Sequence, residues 1–139
     1  MNLTDAPAPH AVTTHRALPA GPWAVRDARE AAVRALADRG VRCPARTAED
    51  IVLIVSELAT NAVLHARPPY ALTLRLEPGR AGIVLSDGSA SPPRRTARPG
   101  PTATRGRGLG IVRALGADLF VSPSPHGKQV IAVLTWPVA

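Results

Sequence analysis

The stretch Ser-Glu-Leu-Ala-Thr-Asn-Ala-Val-Leu-His-Ala at residues 56–66 constrains the fold more than any other segment. It is largely apolar, yet Glu57, Asn61 and His65 recur at steps of four residues. Because four residues is slightly more than one helical turn, these side chains lie along one narrow face of a helix. Leu58 and Ala62 lie on the other side, where they need a core to pack against. The pattern predicts a helix with one face in a core and a thin polar stripe along the other.

The remaining chain predicts a layered fold built around that helix. Thr47 and Asp50 indicate a capping box at its start. We expect an α+β two-layer sandwich, with helices packed on one face of a mixed, mostly antiparallel sheet. Residues 1–20 are predicted to be a flexible N-terminal segment with an edge strand, and residues 21–139 a single domain. The predicted elements are a strand at 11–16, helices at 22–39 and 48–66, strands at 70–76 and 82–85, a helix at 106–115, and strands at 118–121 and 129–135.

Length and composition exclude several classes of protein. The 139 residues suit one ordinary domain with its own core. No apolar run reaches the roughly 18 residues of a membrane span, and no signal-peptide core is seen, so we expect a cytoplasmic protein without a membrane partner. The single cysteine, Cys43, excludes an internal disulfide and a cysteine-based metal cluster. We interpret it as a small, partly buried hydrophobic residue.

The formal net charge of +7 is carried almost entirely by arginine, Lys128 being the only lysine. The excess is local, because no acidic residue lies between Asp87 and Asp118. A basic segment of this kind indicates a localised anion more readily than a duplex, although a solvated charged loop fits equally well. Nucleic-acid binding is a third hypothesis, but the few aromatic residues disfavour single strands. We expect no direct contact with nucleic acid.

Two groups of polar residues suggest chemistry. Asn61 and Glu57, one turn apart, can share a hydrated divalent cation, and a carboxylate beside such a cation can accept a proton from a hydroxyl. Asp87, followed by Gly88 at the end of a strand, can accept a hydrogen bond from an exocyclic amine while the glycine lets a flat base approach. Each group also has a simpler interpretation, as incidental polar residues on a helix and as an ordinary Asp-Gly turn.

The last predicted helix opens with a glycine-rich run, Gly106-Arg107-Gly108-Leu109-Gly110. Exposed backbone N–H groups at such a helix start can bind phosphate. The run alone is a weak signal, since no strand leads directly into it, and the chain contains no P-loop sequence. Between Asp87 and this run lies a long proline-rich segment, and a loop of that length in a compact domain is either functional or disordered.

The order of these signals is more specific than any one of them. Glu-Leu-x-x-Asn-Ala-x-x-His-Ala on a helix, Asp-Gly after a strand, a long loop and Gly-x-Gly-Leu-Gly before a helix together resemble the GHKL ATP-binding superfamily. More narrowly, the 56–66 segment in a chain of this size looks like the bacterial anti-sigma-factor serine/threonine kinases. The resemblance covers residues 20–136.

The resemblance implies a role for each matching position. Glu57 would be the catalytic general base or the residue that orients water, and Asn61 would hold Mg²⁺ against the phosphates of ATP. Asp87 would recognise the adenine amine, with Gly88 beside the ring. Residues 89–105 would form a lid over the nucleotide, and His65 we interpret as structural. The phosphate-binding positions would be Arg105, Gly106, Arg107, Gly108, Leu109 and Gly110.

The resemblance also implies a function. The chain would be an ATP-binding regulatory serine/threonine kinase and anti-sigma factor, with a sigma factor and a STAS-type anti-anti-sigma protein as partners, and homodimerisation would be expected. The first glycine box departs from the usual Asp-x-Gly-x-Gly, because Asp87 is followed by Gly-Ser-Ala-Ser. That departure leaves an alternative open, in which the protein binds ATP and a partner without transferring phosphate.

Overall fold

The structure, a computed structural model, describes residues 11–38, 42–89, 103–124 and 126–138, with residues 103–108 and 124 described by their backbone alone. Two helices pack on one face of a five-stranded sheet, and a third helix contacts the second. The elements are β1 (Val12–Leu18), α1 (Trp23–Leu36), α2 (Ala45–His65), β2 (Tyr70–Glu77), β3 (Arg80–Asp87), α3 (Ala103–Ala114), β4 (Asp118–Ser124) and β5 (Gly127–Thr135).

The strands follow the order β1-β2-β3-β5-β4, and every pair among the described strands is antiparallel. The predicted two-layer α+β sandwich is therefore confirmed, whereas the prediction of a mixed sheet is wrong. The hairpins β2–β3 and β4–β5 are antiparallel because a short turn joins their strands, and β5 also pairs with β3 in the antiparallel sense. The expected edge strand forms at β1, which pairs along its whole length with β2 and belongs to the same sheet.

The core lies between the sheet and the helices. In β2 every second side chain is buried, from Tyr70 to Leu76, as the period of two in a strand requires. Helix α2 contributes Ile51, Ile54 and Leu58, all at most 1% exposed. Helix α1 buries mainly alanines, whose small side chains let its backbone lie close to its neighbours: Ala24, Ala28, Ala31, Ala32 and Ala35.

The start of α2 differs from the prediction. The helix begins at Ala45, after Pro44 in an extended conformation (φ −59°, ψ 149°), and no side chain caps it. The Ala48 N–H already donates to the Pro44 carbonyl at 2.9 Å, so the first turn is closed before Thr47 can act as a cap. The predicted capping box is therefore wrong, because proline sets the helix start three residues earlier than predicted.

Two further expectations concern the chain as a whole. In the part of the chain that the structure describes, no helix has both the length and the apolar character needed to cross a bilayer. Cys43 is half-buried, as predicted, and burial raises the pKa of its thiol. A raised pKa favours the neutral thiol, so Cys43 is a poor nucleophile at neutral pH.

Neighbouring positions on α2 test the packing of this helix. Ile54 is fully buried, whereas Leu53 is 39% exposed. Ile54→Ala is expected to lower the free energy of unfolding by about 2–5 kcal/mol, because it removes buried contacts and leaves a cavity. Leu53→Ala should cost less than about 1 kcal/mol. Urea unfolding followed by circular dichroism measures both, and equal losses would contradict the assigned orientation of α2.

Candidate functional site

The polar stripe of α2 is available to a ligand. Glu57 and Asn61 are both half-buried, and neither makes a side-chain hydrogen bond or ion pair with another described residue. On the same side, Leu53 and Leu64 are 39% and 69% exposed. Among the described residues, this side of α2 is therefore partly exposed. His65, interpreted above as structural, is exposed at the end of the helix.

Asp87 lies where the buried face of β3 ends. Ala81, Ile83 and Leu85 precede it on that face, and Asp87 follows as the only buried charged residue among the positions described. Its Oδ1 accepts a hydrogen bond from the Ser89 backbone N–H at 2.8 Å. Its Oδ2 lies 3.0 Å from the Nζ of Lys128. Because a buried carboxylate without partners is costly, these two contacts hold it in place.

Lys128 is a residue that the sequence analysis did not assign to the site. It is the direct cross-strand partner of Asp87 on β5, so the two side chains project from the same face of the sheet. Its side chain is 28% exposed, against 2% for that of Asp87. The signal in the sequence was that the only lysine comes directly before the predicted strand at 129–135. The pairing register was needed to connect it with Asp87.

The residues after Asp87 join β3 to the connection between α2 and β2. The Gly88 N–H donates to the Arg67 carbonyl at 2.6 Å, and the Arg67 N–H donates to the Ser89 hydroxyl oxygen at 3.0 Å. A Cβ atom on Gly88 would collide with the Pro68 carbonyl oxygen and approach Pro69 Cδ to 2.7 Å. Glycine is therefore required at position 88 for packing. That Gly88 lies beside a bound base stays a prediction.

Helix α3 contains the glycine-rich run instead of following it. The predicted helix start at Gly106 is wrong, because α3 already begins at Ala103. Backbone N–H groups beyond the first turn donate within a helix, so the amides of residues 108–110 are occupied and the free amides lie at the start of α3. Leu109 is half-buried and Gly110 is exposed. The phosphate-binding role of these residues stays a prediction.

Other parts of the predicted site lie outside the described residues. Of the predicted lid, residues 90–102 fall in this category, and residues 103–105 already belong to α3. The side chains of Arg105 and Arg107 are likewise not described. Any contact of this arginine-rich segment with a ligand therefore stays a prediction.

The side-chain oxygens of the α2 stripe suit a Mg²⁺ ion whose remaining ligands are water and phosphate oxygens. The structure describes no place where three or more His, Cys, Asp or Glu side chains come together to hold a metal. Mg²⁺ usually takes one or two protein oxygens and completes its shell with water and phosphate oxygens. The amide oxygen of Asn61 and the carboxylate of Glu57, neither engaged by another described residue, match that requirement.

A second exposed feature lies on α1. Trp23 is 62% exposed, and the guanidinium of Arg26 lies 5.7 Å from the centroid of its ring. Val33, two turns and more along the same helix, is 54% exposed. The described lining of the cleft along this helix comes entirely from residues 22–34 and includes no residue of α2 or β3. This α1 face is therefore separate from the stripe and from Asp87.

The chain matches a known family of protein domains. Residues 18–134 match the family described as histidine kinase-like ATPase domain. Among solved structures, the blue-light activated histidine kinase EL346 of Erythrobacter litoralis is similar, with a TM-score of 0.50, 22% identity, and coverage of 84% of this chain and 42% of that one. The histidine kinase domain of the E. coli osmosensor EnvZ gives a TM-score of 0.45 at 15% identity, covering 97% and 94%.

These structural likenesses concern the fold. At 22% identity the first of them shows a shared fold alone, and the present chain spans less than half of that kinase. A structure of the separate EL346 histidine kinase domain is covered over 58% of its length, with a TM-score of 0.47 and 21% identity. No curated protein matches the chain.

Gly127 offers a test of how Asp87 is positioned. Its φ is +159°, and a Cβ atom there would collide with the Asp87 carbonyl oxygen. Gly127→Ala should therefore lower the free energy of unfolding by roughly 1–3 kcal/mol through strain and displaced backbone. Gly82 on β3 has nothing within 4 Å of its would-be Cβ, so Gly82→Ala should stay within about 1 kcal/mol of the wild type. Equal urea midpoints for the two variants would contradict the close approach of β5 to Asp87.

Proposed function

The chain belongs to the histidine kinase-like ATPase domain family, within the GHKL superfamily of ATP-binding domains, and we propose that it is a serine/threonine protein kinase acting as an anti-sigma factor. Its cofactors would be ATP and Mg²⁺. Its partners would be a sigma factor and a STAS-type anti-anti-sigma protein carrying the acceptor hydroxyl. The observation that carries the proposal is the Glu57–Asn61 pair on α2, which no described residue engages, in one domain with the buried carboxylate of Asp87.

Each of these side chains has a defined task in the proposed reaction. Asp87 accepts a hydrogen bond from the exocyclic amine of adenine and so fixes the base at the end of β3. Asn61 offers an amide oxygen at the phosphate end, and a magnesium ion held there supplies neutralisation of the charge on the phosphates. Glu57, one turn before Asn61, accepts the proton of the attacking hydroxyl. Positioning and charge neutralisation account for most of the catalysis in phosphoryl transfer.

The transfer itself is a simple substitution at phosphorus. The hydroxyl oxygen of the partner's serine or threonine forms a bond to the γ-phosphorus, and the bond from that phosphorus to the β–γ bridging oxygen breaks. ADP leaves with the electron pair, and the hydroxyl proton passes to Glu57. The modified partner would then lose its affinity for the kinase, so that the sigma factor takes its place.

The exposed α1 face supports a role in protein binding. Tryptophan and arginine are the residues that most often dominate binding energy at interfaces. Trp23 with Arg26 above it presents such a pair on the surface, away from the proposed nucleotide site. A regulator that exchanges partners needs a protein-binding surface outside its nucleotide site, and this face is suited to that use.

In a second candidate function, the protein binds a partner through the α1 face without transferring phosphate to it. The protein would bind ATP only as a conformational ligand and would hold its partner unmodified. The exposed α1 face favours this reading as much as the first, and the altered first glycine box is consistent with it. The two candidates differ in one product, phosphoserine or phosphothreonine on the partner.

The test of the kinase proposal uses Glu57 and a matched glutamate on the same helix. The protein is mixed with MgATP and a STAS-type protein from the same genome, and phosphorylation is followed by mass spectrometry. Glu57→Gln should reduce the transfer rate about 100-fold or more, because the proton acceptor is lost. Its nucleotide affinity should change less than about threefold. Glu49→Gln, at an exposed position of α2, should match the wild type.

The outcomes separate the two candidates. Absence of phosphate transfer by a wild-type protein that binds both ATP and the partner would favour the binding module and overturn the kinase. Transfer undiminished in Glu57→Gln would remove this residue from the mechanism.

A further inference from the structure

At the end of β3, Lys128 is the more exposed member of the Asp87–Lys128 pair. The Asp87 side chain is only 2% exposed, whereas that of Lys128 is 28% exposed. The ammonium lies 3.0 Å from Oδ2 and therefore covers the carboxylate that the proposed function assigns to the base. A base that hydrogen-bonds to Oδ2 would therefore lie within reach of this ammonium.

The contacts with described residues use only part of the hydrogen-bonding capacity of this pair. An ammonium has three N–H donors, and each carboxylate oxygen can accept two hydrogen bonds. The Ser89 N–H uses one position on Oδ1, and Lys128 uses one on Oδ2. Lys128 thus keeps donors, and Oδ2 keeps an acceptor position, within 3.0 Å of each other. A ligand edge that carries one donor next to one acceptor would satisfy both.

The Watson–Crick edge of adenine is such an edge. Its exocyclic N6 amine donates, and its ring nitrogen N1, separated from N6 by one carbon, accepts. With Asp87 opposite N6, the ammonium of Lys128 would lie opposite N1. Recognition of a base through this edge by adjacent polar groups is a general way of selecting it. Lysine is suited to the position because it can donate to N1 without leaving the carboxylate.

We propose that Lys128 is a base-recognition residue, which donates a hydrogen bond to N1 of adenine while Asp87 accepts one from N6. This inference rests on the proposed nucleotide site. It assigns the specificity for the adenine edge to a cross-strand pair, Asp87 on β3 and Lys128 on β5, with both side chains on the helix-covered face of the sheet. If the ion pair had only a structural role, it would support the fold equally well, but the affinity for the nucleotide would not depend on N1 of the base.

Two ATP analogues test the proposal on the wild-type protein. In 1-deaza-ATP the N1 acceptor is replaced by C–H, and in 7-deaza-ATP the same replacement is made at N7 on another edge. Affinities are measured by calorimetry in the presence of Mg²⁺. The loss of a hydrogen bond from a charged donor should weaken 1-deaza-ATP roughly 10- to 100-fold relative to 7-deaza-ATP. Equal affinities for the two analogues would overturn the proposal.

A variant then assigns the discrimination to the lysine. Lys128→Met keeps a chain of similar length without a donor, and it should bind the two analogues with equal affinity. Gln129→Met, at the next position of β5, is the control and should keep the wild-type ratio. A Lys128→Met protein that keeps the wild-type ratio would overturn the proposal. If this variant does not fold, the wild-type comparison of the two analogues decides alone.

The proposed function and this inference fail in different ways. A wild-type protein that binds none of the three nucleotides overturns the nucleotide site, and the inference with it. A wild-type protein that binds ATP but does not distinguish the analogues overturns the role of Lys128 alone. Tighter ATP binding by Lys128→Met would also overturn it, because the lysine would then be a competitor for Asp87.

Discussion

Packing of α2 against the sheet positions the candidate site. Ile51, Ile54 and Leu58 are buried in the core, and Glu57 and Asn61 lie half-buried on another side of the helix, where no described side chain bonds to them. The helix cannot rotate without exposing its apolar face, since burial of that face is the main source of its stability. The same packing that stabilises the domain therefore fixes the direction in which the polar stripe points.

A second constraint acts at the end of β3, where a carboxylate occupies a core position. Asp87 continues the buried alternation of its strand, and a charge there requires partners. Its neighbours supply them through the Ser89 N–H and the Lys128 ammonium. Gly88 and Gly127 allow the surrounding backbone to approach closely. An apolar residue would serve the core at lower cost, so a buried charge here is consistent with the role in nucleotide binding that we propose for Asp87.

The sequence was sufficient for much of this account and insufficient for the rest. The period of α2 predicted its two faces, and the strands predicted at 70–76 and 82–85 correspond to β2 and β3. The start of α3 was wrong because three glycines were taken as a boundary, although the helix includes them. Lys128 was missed because pairing with Asp87 joins positions 41 residues apart, and this register is set by the sheet.

We propose that this domain binds ATP through Asp87 and the polar stripe of α2. Calorimetric titration with ATP, with Mg²⁺ and then with EDTA, tests it most directly when Asp87→Asn is titrated alongside. We expect one site per chain, weaker binding without Mg²⁺, and an affinity at least roughly tenfold lower in the variant, as for the loss of a hydrogen bond to a charged group. No binding by the wild type, or equal binding by the two proteins, would contradict the account.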